Sequence, residues 1–328
     1  MKINNLKPEL VVVTGAGSGI GEATALKFAK GGAHVIVSDI DLEAAEVATA
    51  KMRGRGLHAT AAQLDVTDPA AWDRFALDVH ADHGVPDVLV NNAGMLVGGS
   101  FLDLEPEHWE KQLSVNLMGV VYGCRAFGRL MVERGSGHIV NICSAAALSP
   151  TAVMAAYHVS KAGVKMLTEC LRLELGTKGI GVSAICPGVI NTNIGNNAIT
   201  VGVDDELVER GRRISMRVQE IAARLPLAPM SPNLVARAAV RAVRFDLAIV
   251  PVRTEAWFGY FMGRIAPGIN RRAAGMLSVD RSQELGHKAL GTFAPILEKV
   301  LGGDFTSPLS ERGEAGRSVQ ADAALVGK

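Results

Sequence analysis

Residues 10–21 read Leu-Val-Val-Val-Thr-Gly-Ala-Gly-Ser-Gly-Ile-Gly, and this dozen decides the fold. The run Leu10–Thr14 is apolar and β-branched, as a strand buried on both faces requires. Gly15, Gly17, Ser18, Gly19, Ile20 and Gly21 carry the chain into a helical pattern over Ile20–Lys30. Glycine permits unusual torsions and, lacking Cβ, lets the main chain approach an anion closely. The N–H groups and the positive dipole end of the following helix face the same point. Glycine also builds ordinary tight turns. Here a strand enters and a helix leaves, so the octamer Thr14–Gly21 reads as a cradle for the pyrophosphate of a dinucleotide.

Working outward, short β-branched runs alternate with longer helical stretches. Strands are expected at Ala33–Asp39, Leu57–Asp65, Asp87–Asn91, His138–Cys143 and Ile180–Cys186, with helices at Leu42–Arg53, Pro69–His83, Pro106–Glu133 and Ala152–Thr177. Thr67-Asp68-Pro69 reads as a cap followed by proline in the first helical turn. Further helices are expected at Asp204–Arg224 and Pro232–Arg244, and a last strand at Leu247–Val250. Strand and helix in alternation imply an α/β fold, a parallel sheet with helices on both faces and right-handed crossovers. Beyond Arg253 the pattern changes: Trp257, Phe258, Tyr260, Phe261 and Met262 cluster, and Arg271-Arg272 follow. From about Gly302 the composition is that of a disordered tail.

Of the 328 residues, 48% are hydrophobic and 20% charged, enough for a substantial core. A net charge of +1 and only 5% aromatics argue against a nucleic-acid binder, which needs a basic excess and stacking platforms. The four cysteines, Cys124, Cys143, Cys170 and Cys186, form no CxxC pair, so neither a metal site nor a disulfide framework is expected. Met1–Leu10 is polar and charged and is not expected to act as a signal peptide. The longest stretch free of Asp, Glu, Lys and Arg, Gly135–Ser160, holds Asn141, Ser144, Pro150 and two histidines, a poor membrane span. A soluble, cytoplasmic chain is the expectation.

Asp39 ends the second strand, where a carboxylate can accept hydrogen bonds from an adenosine ribose and would repel a 2′-phosphate. Ser18 is neutral, and no Arg or Lys immediately follows Asp39, so NAD is favoured over NADP. A strand-end Asp could also cap the next helix, a role open to Asp41. Tyr157 and Lys161, four apart, share one face of a helix. A nearby ammonium stabilises a phenolate and lowers the tyrosine pKa, giving a group able to donate or accept a proton at an oxygen. Ser144 lies thirteen positions before Tyr157 at a strand end, where it can polarise the same oxygen. Asn91-Asn92-Ala93-Gly94 ends the fourth strand, and Asn116 falls inside the helix that follows. An asparagine in mid-helix is ordinarily a surface residue or a mild defect.

Taken together, TGxxxGxG, NNAG, Asn116, Ser144, YxxxK and Pro187-Gly188 followed by Thr192 resemble the classical short-chain dehydrogenase/reductase family over residues 8–250. The resemblance implies a Rossmann-type doubly wound sheet, and a single domain with a helical C-terminal extension: residues 1–252 for cofactor and chemistry, 253–301 for the extension and 302–328 for the tail. It implies Tyr157 as general acid/base and Lys161 as the residue that lowers its pKa and binds the nicotinamide ribose. Ser144 would orient the substrate oxygen and Asn116 hold a water of the proton relay. Asp65 and Val66 would contact adenine, Asn92, Ala93 and Gly94 line the cofactor groove, and Pro187, Gly188, Ile190 and Thr192 seat the nicotinamide. No metal is implied. Cys143 and Val159 depart from the commoner serine and alanine without removing a needed chemical group.

The same resemblance makes 193–224 the substrate lid, and its apolar residues, with Met95, Leu96, Val97, Leu148 and Met154, suggest a hydrophobic secondary alcohol or ketone. Within enzymes, a 3-oxoacyl reductase is the alternative, opposed by Asp39. A non-catalytic dinucleotide-binding sensor or scaffold is the alternative outside them, opposed by the joint presence of Asn116, Ser144, Tyr157 and Lys161. Between Arg210 and Arg272 stand twelve arginines, no lysine and three acidic residues. With the aromatic run 256–269 this allows peripheral membrane contact, but a segment completing the pocket or an oligomer interface is preferred. Family members are commonly homodimers or homotetramers.

Overall fold

A computed structural model of the chain describes residues 7–188, 190, 194, 198–202, 231–266 and 268. Gly202 apart, these belong to one unit made of Met1–Val201 and Leu227–Leu277. Strand β1 (Leu10–Thr14) is buried throughout. Its side chains alternate, Val11 and Val13 entering one core layer and Leu10 and Val12 the other, because successive residues of a strand face opposite ways. Six strands join it: β2 (His34–Asp39), β3 (Ala59–Gln63), β4 (Val88–Asn91), β6 (Gly137–Ile142), β7 (Ile180–Pro187) and β9 (Ile249–Val252). The order is β3-β2-β1-β4-β6-β7-β9, and every pairing is parallel.

Helices α1 (Gly19–Ala29), α2 (Leu42–Arg53) and α7 (Pro232–Phe245) close one face through Phe28, Met52 and Val243. Helices α3 (Pro69–His83), α5 (Gly119–Arg134) and α6 (Ala155–Gly176) close the other through Trp72, Phe127 and Val164. Trp72, Phe75 and Phe127 meet edge to face, with centroids 5.8–6.3 Å apart, and each such pair is worth about 1 kcal/mol beyond its buried area. Strand order runs one way from β1 to β3 and the other way from β4 to β9. The crevice outside the carboxyl ends of β1 and β4 is therefore the switch point at which open α/β sheets bind ligands.

The structure refines the expected boundaries. Strand β3 stops at Gln63, where its partner β2 ends at Asp39. Asp65 then turns the chain, accepting hydrogen bonds at Oδ1 from Thr67 N (2.8 Å) and Thr67 Oγ1 (2.7 Å). Asp68 caps α3 by accepting from Ala70 N, with Pro69 at its start. The long helix expected at Pro106–Glu133 is in fact α4 (Pro106–Leu113), a π turn at Ser114–Met118, and α5. Strand β9 lies two residues beyond the expected position, and α6 begins at Ala155. An unexpected second pair, β5 (Val97–Gly99) with β8 (Ile199–Val201), is too short to leave a period-two pattern. Helix α8 (Thr254–Ile265) follows β9. The helix expected at Asp204–Arg224, the tail and most of 193–224 lie outside the described residues.

Candidate active site

The glycine turn is shaped by contacts a side chain would destroy. A Cβ on Gly21 would stand 2.1 Å from the Gly15 carbonyl oxygen and 2.6 Å from Asn92 Nδ2. Gly15 and Gly19 have φ of +60° and +58°, the left-handed region that disfavours a Cβ. Asn92 fastens the turn to the end of β4: its Nδ2 donates to Thr14 O and Gly15 O at 2.9 Å each, and its own N–H donates to Thr14 Oγ1 at 3.0 Å. Ala93 N donates to the same hydroxyl at 3.1 Å.

Ser18 stands at the N-cap of α1 without making a side-chain cap. The first N–H groups of that helix are thus left to an external anion. Asp39 Oδ2 accepts from Gly17 N at 2.9 Å, which places the carboxylate against the turn, and Oδ1 accepts from Asp41 N at 3.2 Å. Capping of α2 falls to Asp41, which accepts from Ala44 N. Asp39 is thereby free of the capping role. Val66 is buried and packs against Gly119, whose Cβ would lie 3.0 Å from Val66 Cγ2. An uncapped helix start, a glycine cradle and a half-buried carboxylate beside it fit a dinucleotide.

Lys161 is buried, and its Nζ donates to Ile142 O at 3.0 Å while standing 5.9 Å from the centroid of the Tyr157 ring. Burial holds its pKa below the ordinary lysine value. Burial also pushes the Tyr157 phenol up to about 12, and a hydrogen bond with Ser144 pulls the other way. Desolvation outweighs that hydrogen bond, because a phenolate loses more by leaving water than one donor restores. Ser144 accepts from Ala146 N at 3.1 Å. A Cβ on Gly94 would lie 3.3 Å from Asn116 Oδ1 and 3.6 Å from Lys161 Nζ, so three of the expected residues converge at one point.

Asn116 is no surface residue: it is wholly buried in the π turn. Its Oδ1 accepts from Met95 N (2.8 Å), and its Nδ2 donates to Met95 O (2.9 Å) and faces Ser160 Oγ (3.3 Å). A relay water of the kind the resemblance implies would have to reach the main chain, since the amide is engaged. Pro187 ends β7 opposite Val252, and Gly188 N donates to Val252 O at 3.0 Å. Ile20 and Ile190 pack against the core at the same end of the sheet. Thr192 lies outside the described residues.

Sequence reasoning passed over Thr14, Gln112 and Glu255. Thr14 anchors the NNAG turn. Gln112 stands four residues before Asn116, hence on the same helical face, and that spacing was the available signal. Glu255 Oε1 is 2.3 Å from where a Gly188 Cβ would be, a contact between distant positions that no local pattern announces. Among the described residues no His, Cys, Asp and Glu side chains group in threes as a metal site needs, and no helix is long and apolar enough to cross a membrane.

A family model described as short chain dehydrogenase matches residues 9–200. The chain is 46% identical over 270 residues to "Probable oxidoreductase EphD" of Mycobacterium tuberculosis, covering 81% of this chain and 44% of that protein. It thus spans less than half the length of that relative. It is 38% identical over 194 residues to 2,3-dihydro-2,3-dihydroxybenzoate dehydrogenase of Bacillus subtilis, covering 59% of this chain and 74% of the other. Among solved structures, a short chain dehydrogenase/reductase from Burkholderia phymatum in complex with NAD superposes with a TM-score of 0.64 at 28% identity, over 76% of this chain and 90% of that one. A metagenomic short-chain oxidoreductase in complex with NADP gives 0.59 at 29% identity, over 74% and 95%.

Proposed function

Because this chain belongs to the short-chain dehydrogenase family, we propose that it interconverts a hydrophobic secondary alcohol and its ketone with a nicotinamide dinucleotide, NAD in preference to NADP. The observation that carries this reading is the convergence of Gly94, Asn116 and buried Lys161 at one point, with the Lys161 ammonium 5.9 Å from the centroid of the Tyr157 ring. When bound, the nicotinamide supplies the carbon that gives or accepts hydride.

The chain's own residues hold and move the proton. Tyr157 donates to the carbonyl oxygen in reduction and takes the proton from the hydroxyl in oxidation. Ser144, fixed by Ala146 N, hydrogen-bonds the same oxygen and orients it. Lys161 spends one N–H on Ile142 O and keeps the others for the nicotinamide ribose, and its charge favours the phenolate. Asn92, Ala93 and Gly94 would line the cofactor groove, and the first N–H groups of α1 with Gly15, Gly17 and Gly19 would hold the pyrophosphate. Asp39 accepts from the adenosine ribose and disfavours a 2′-phosphate. Asp65 and Val66 would border the adenine, and Pro187, Gly188 and Ile190 would seat the nicotinamide, a role the family resemblance also gives to Thr192.

Met95, Leu96, Leu148 and Met154 give the substrate side an apolar character. Helix α8 extends it, with Gly259 and Gly263 close to Leu148 and Ser149. Residues 1–252 carry the chemistry in this reading. Exposed Val159, Met166 and Leu173 on α6 suit a homodimer or homotetramer joined through its long helices. The test is nicotinamide absorbance during turnover of aliphatic, aromatic and polycyclic secondary alcohols and ketones with each dinucleotide, with Tyr157→Phe as control. Turnover with NAD that vanishes in the control supports the reading. Binding of dinucleotide with no turnover across the panel counts for a sensor instead.

A further inference from the structure

Strand β5 follows directly on the NNAG turn, and its main chain is gripped from two sides. On one edge it pairs with β8, in the register Val97↔Ile199, Gly98↔Thr200 and Gly99↔Val201, and Ile199 N donates to Leu96 O at 3.0 Å. On the other, Gly99 N donates to Val153 O at 2.8 Å. Val153 lies in the loop that leads to Tyr157 and has φ +57°, a conformation β-branched residues avoid and keep only when their surroundings impose it. Val97 N also turns to this second edge, and its partner is a side chain: Gln112 Oε1 at 2.6 Å.

Gln112 is wholly buried near the end of α4. Its Nε2 donates to Met95 O at 3.0 Å, the oxygen that Asn116 Nδ2 also reaches. Two amides one helical turn apart therefore hold Met95, but only Gln112 holds Val97. We propose that Gln112 is a positioning residue for the substrate side of the site, fixing β5 so that it seats both Val153 and strand β8. The inference rests on the oxidoreductase reading for its effect on turnover, but not for its effect on the strand.

Removing the Gln112 amide would leave the Val97 N–H buried and unpaired, a desolvation cost that remains unless the strand moves. Movement is the cheaper response, because β5 has three residues and one strand partner. Met95 would stay on Asn116, and the glycine turn on Asn92, so the cofactor groove keeps its supports. The consequence separates substrate from cofactor.

The experiment compares the wild-type chain with Gln112→Met, similar in length but without an amide, and Gln112→Glu, which keeps an acceptor opposite Val97 N. Gln112→Met is expected to raise KM for the substrate roughly tenfold or more, with the Kd for NAD within about twofold of wild type, and Gln112→Glu to recover part of the loss. Amide hydrogen exchange is expected to quicken in peptides covering 95–99 and 199–202 and to stay unchanged at 10–14. A Gln112→Met protein that melts earlier yet keeps wild-type KM and wild-type exchange at 95–99 and 199–202 overturns the proposal. If the wild-type chain turns over no alcohol or ketone, the oxidoreductase reading falls, and the exchange at those two segments alone decides whether Gln112 holds them.

Discussion

Lys161 gives a hydrogen bond to the carbonyl of Ile142, 3.0 Å away, while its ammonium stands 5.9 Å from the centroid of the Tyr157 ring. The cation is thus tied to the end of β6 and kept near the phenol by the strand rather than by the phenol itself.

With Tyr157 held at about 12, the phenol is protonated at neutral pH. Reduction uses that proton and oxidation must first shed it. The kcat/KM for alcohol oxidation is therefore expected to climb between pH 7 and 10 while that for ketone reduction does not climb. Tyr157→Phe should lower both by roughly 10²–10⁴-fold. Absorbance assays across this pH range check it, and an oxidation rate flat with pH would contradict it.

Asp39 faces the cofactor turn with Oδ2 bound to Gly17 N. Asp39→Ala should remove the charge that repels a 2′-phosphate and release one charge-assisted hydrogen bond worth about 1.5–3 kcal/mol. The Kd for NAD is expected to rise roughly tenfold or more and the preference over NADP to shrink. Calorimetric titration of both dinucleotides measures this; an unchanged ratio of the two affinities would remove Asp39 from cofactor selection.

Two glycines should respond oppositely to alanine. At Gly21 a Cβ would lie 2.1 Å from a main-chain oxygen, and the turn must open. Loss of dinucleotide affinity and a destabilisation of about 1–3 kcal/mol are expected. Gly176, the last residue of α6, has nothing within 4 Å of its Cβ position. Gly176→Ala should stabilise by about 0.4–1 kcal/mol by narrowing the unfolded ensemble. Urea denaturation of both variants separates the cases.

His138 is wholly buried, and burial pushes its pKa down to about 4. Ser183 Oγ donates to Leu247 O, so it accepts from His138 Nε2; among the described residues Nδ1 meets no hydrogen-bond partner. The folded protein thus takes up this proton later than the unfolded chain, whose histidine titrates near ~6.5. The stabilisation is complete above pH 6.5 and is lost as pH falls toward 4, a change on the order of 3 kcal/mol. The urea midpoint should drop over this window, and His138→Gln should flatten the drop. An equal slope in the variant would assign the acid sensitivity elsewhere.

Much of the fold was readable because its signals are local. The runs Leu10–Thr14 and His138–Ile142 had to be buried strands, and Asp68-Pro69 had to begin a helix. The glycine turn was legible because glycine adopts φ near +60°, as at Gly15 and Gly19, without the strain a Cβ brings. The surroundings of Asn116 were not legible, for the opposite reason. Whether a mid-helix amide meets water or buried main chain depends on what folds onto it, and here Met95 does. The π turn, β5 with β8, and the role of Gln112 were hidden for the same cause.

By itself, then, the sequence determined the layered α/β architecture and singled out the glycine turn and Asp39, Asn116, Ser144, Tyr157 and Lys161 as candidates, since periodicity, glycine torsions and motif spacing operate within a few residues. Only the tertiary structure decided what those groups experience. It set Asp41 rather than Asp39 as the cap of α2, and it enclosed the Tyr157 phenol so that burial pushes its pKa up. It brought Gly188 against Glu255 and Val97 against Gln112. Burial, desolvation and hydrogen-bond pairing are properties of the neighbours that folding assembles, and those neighbours lie anywhere along the chain.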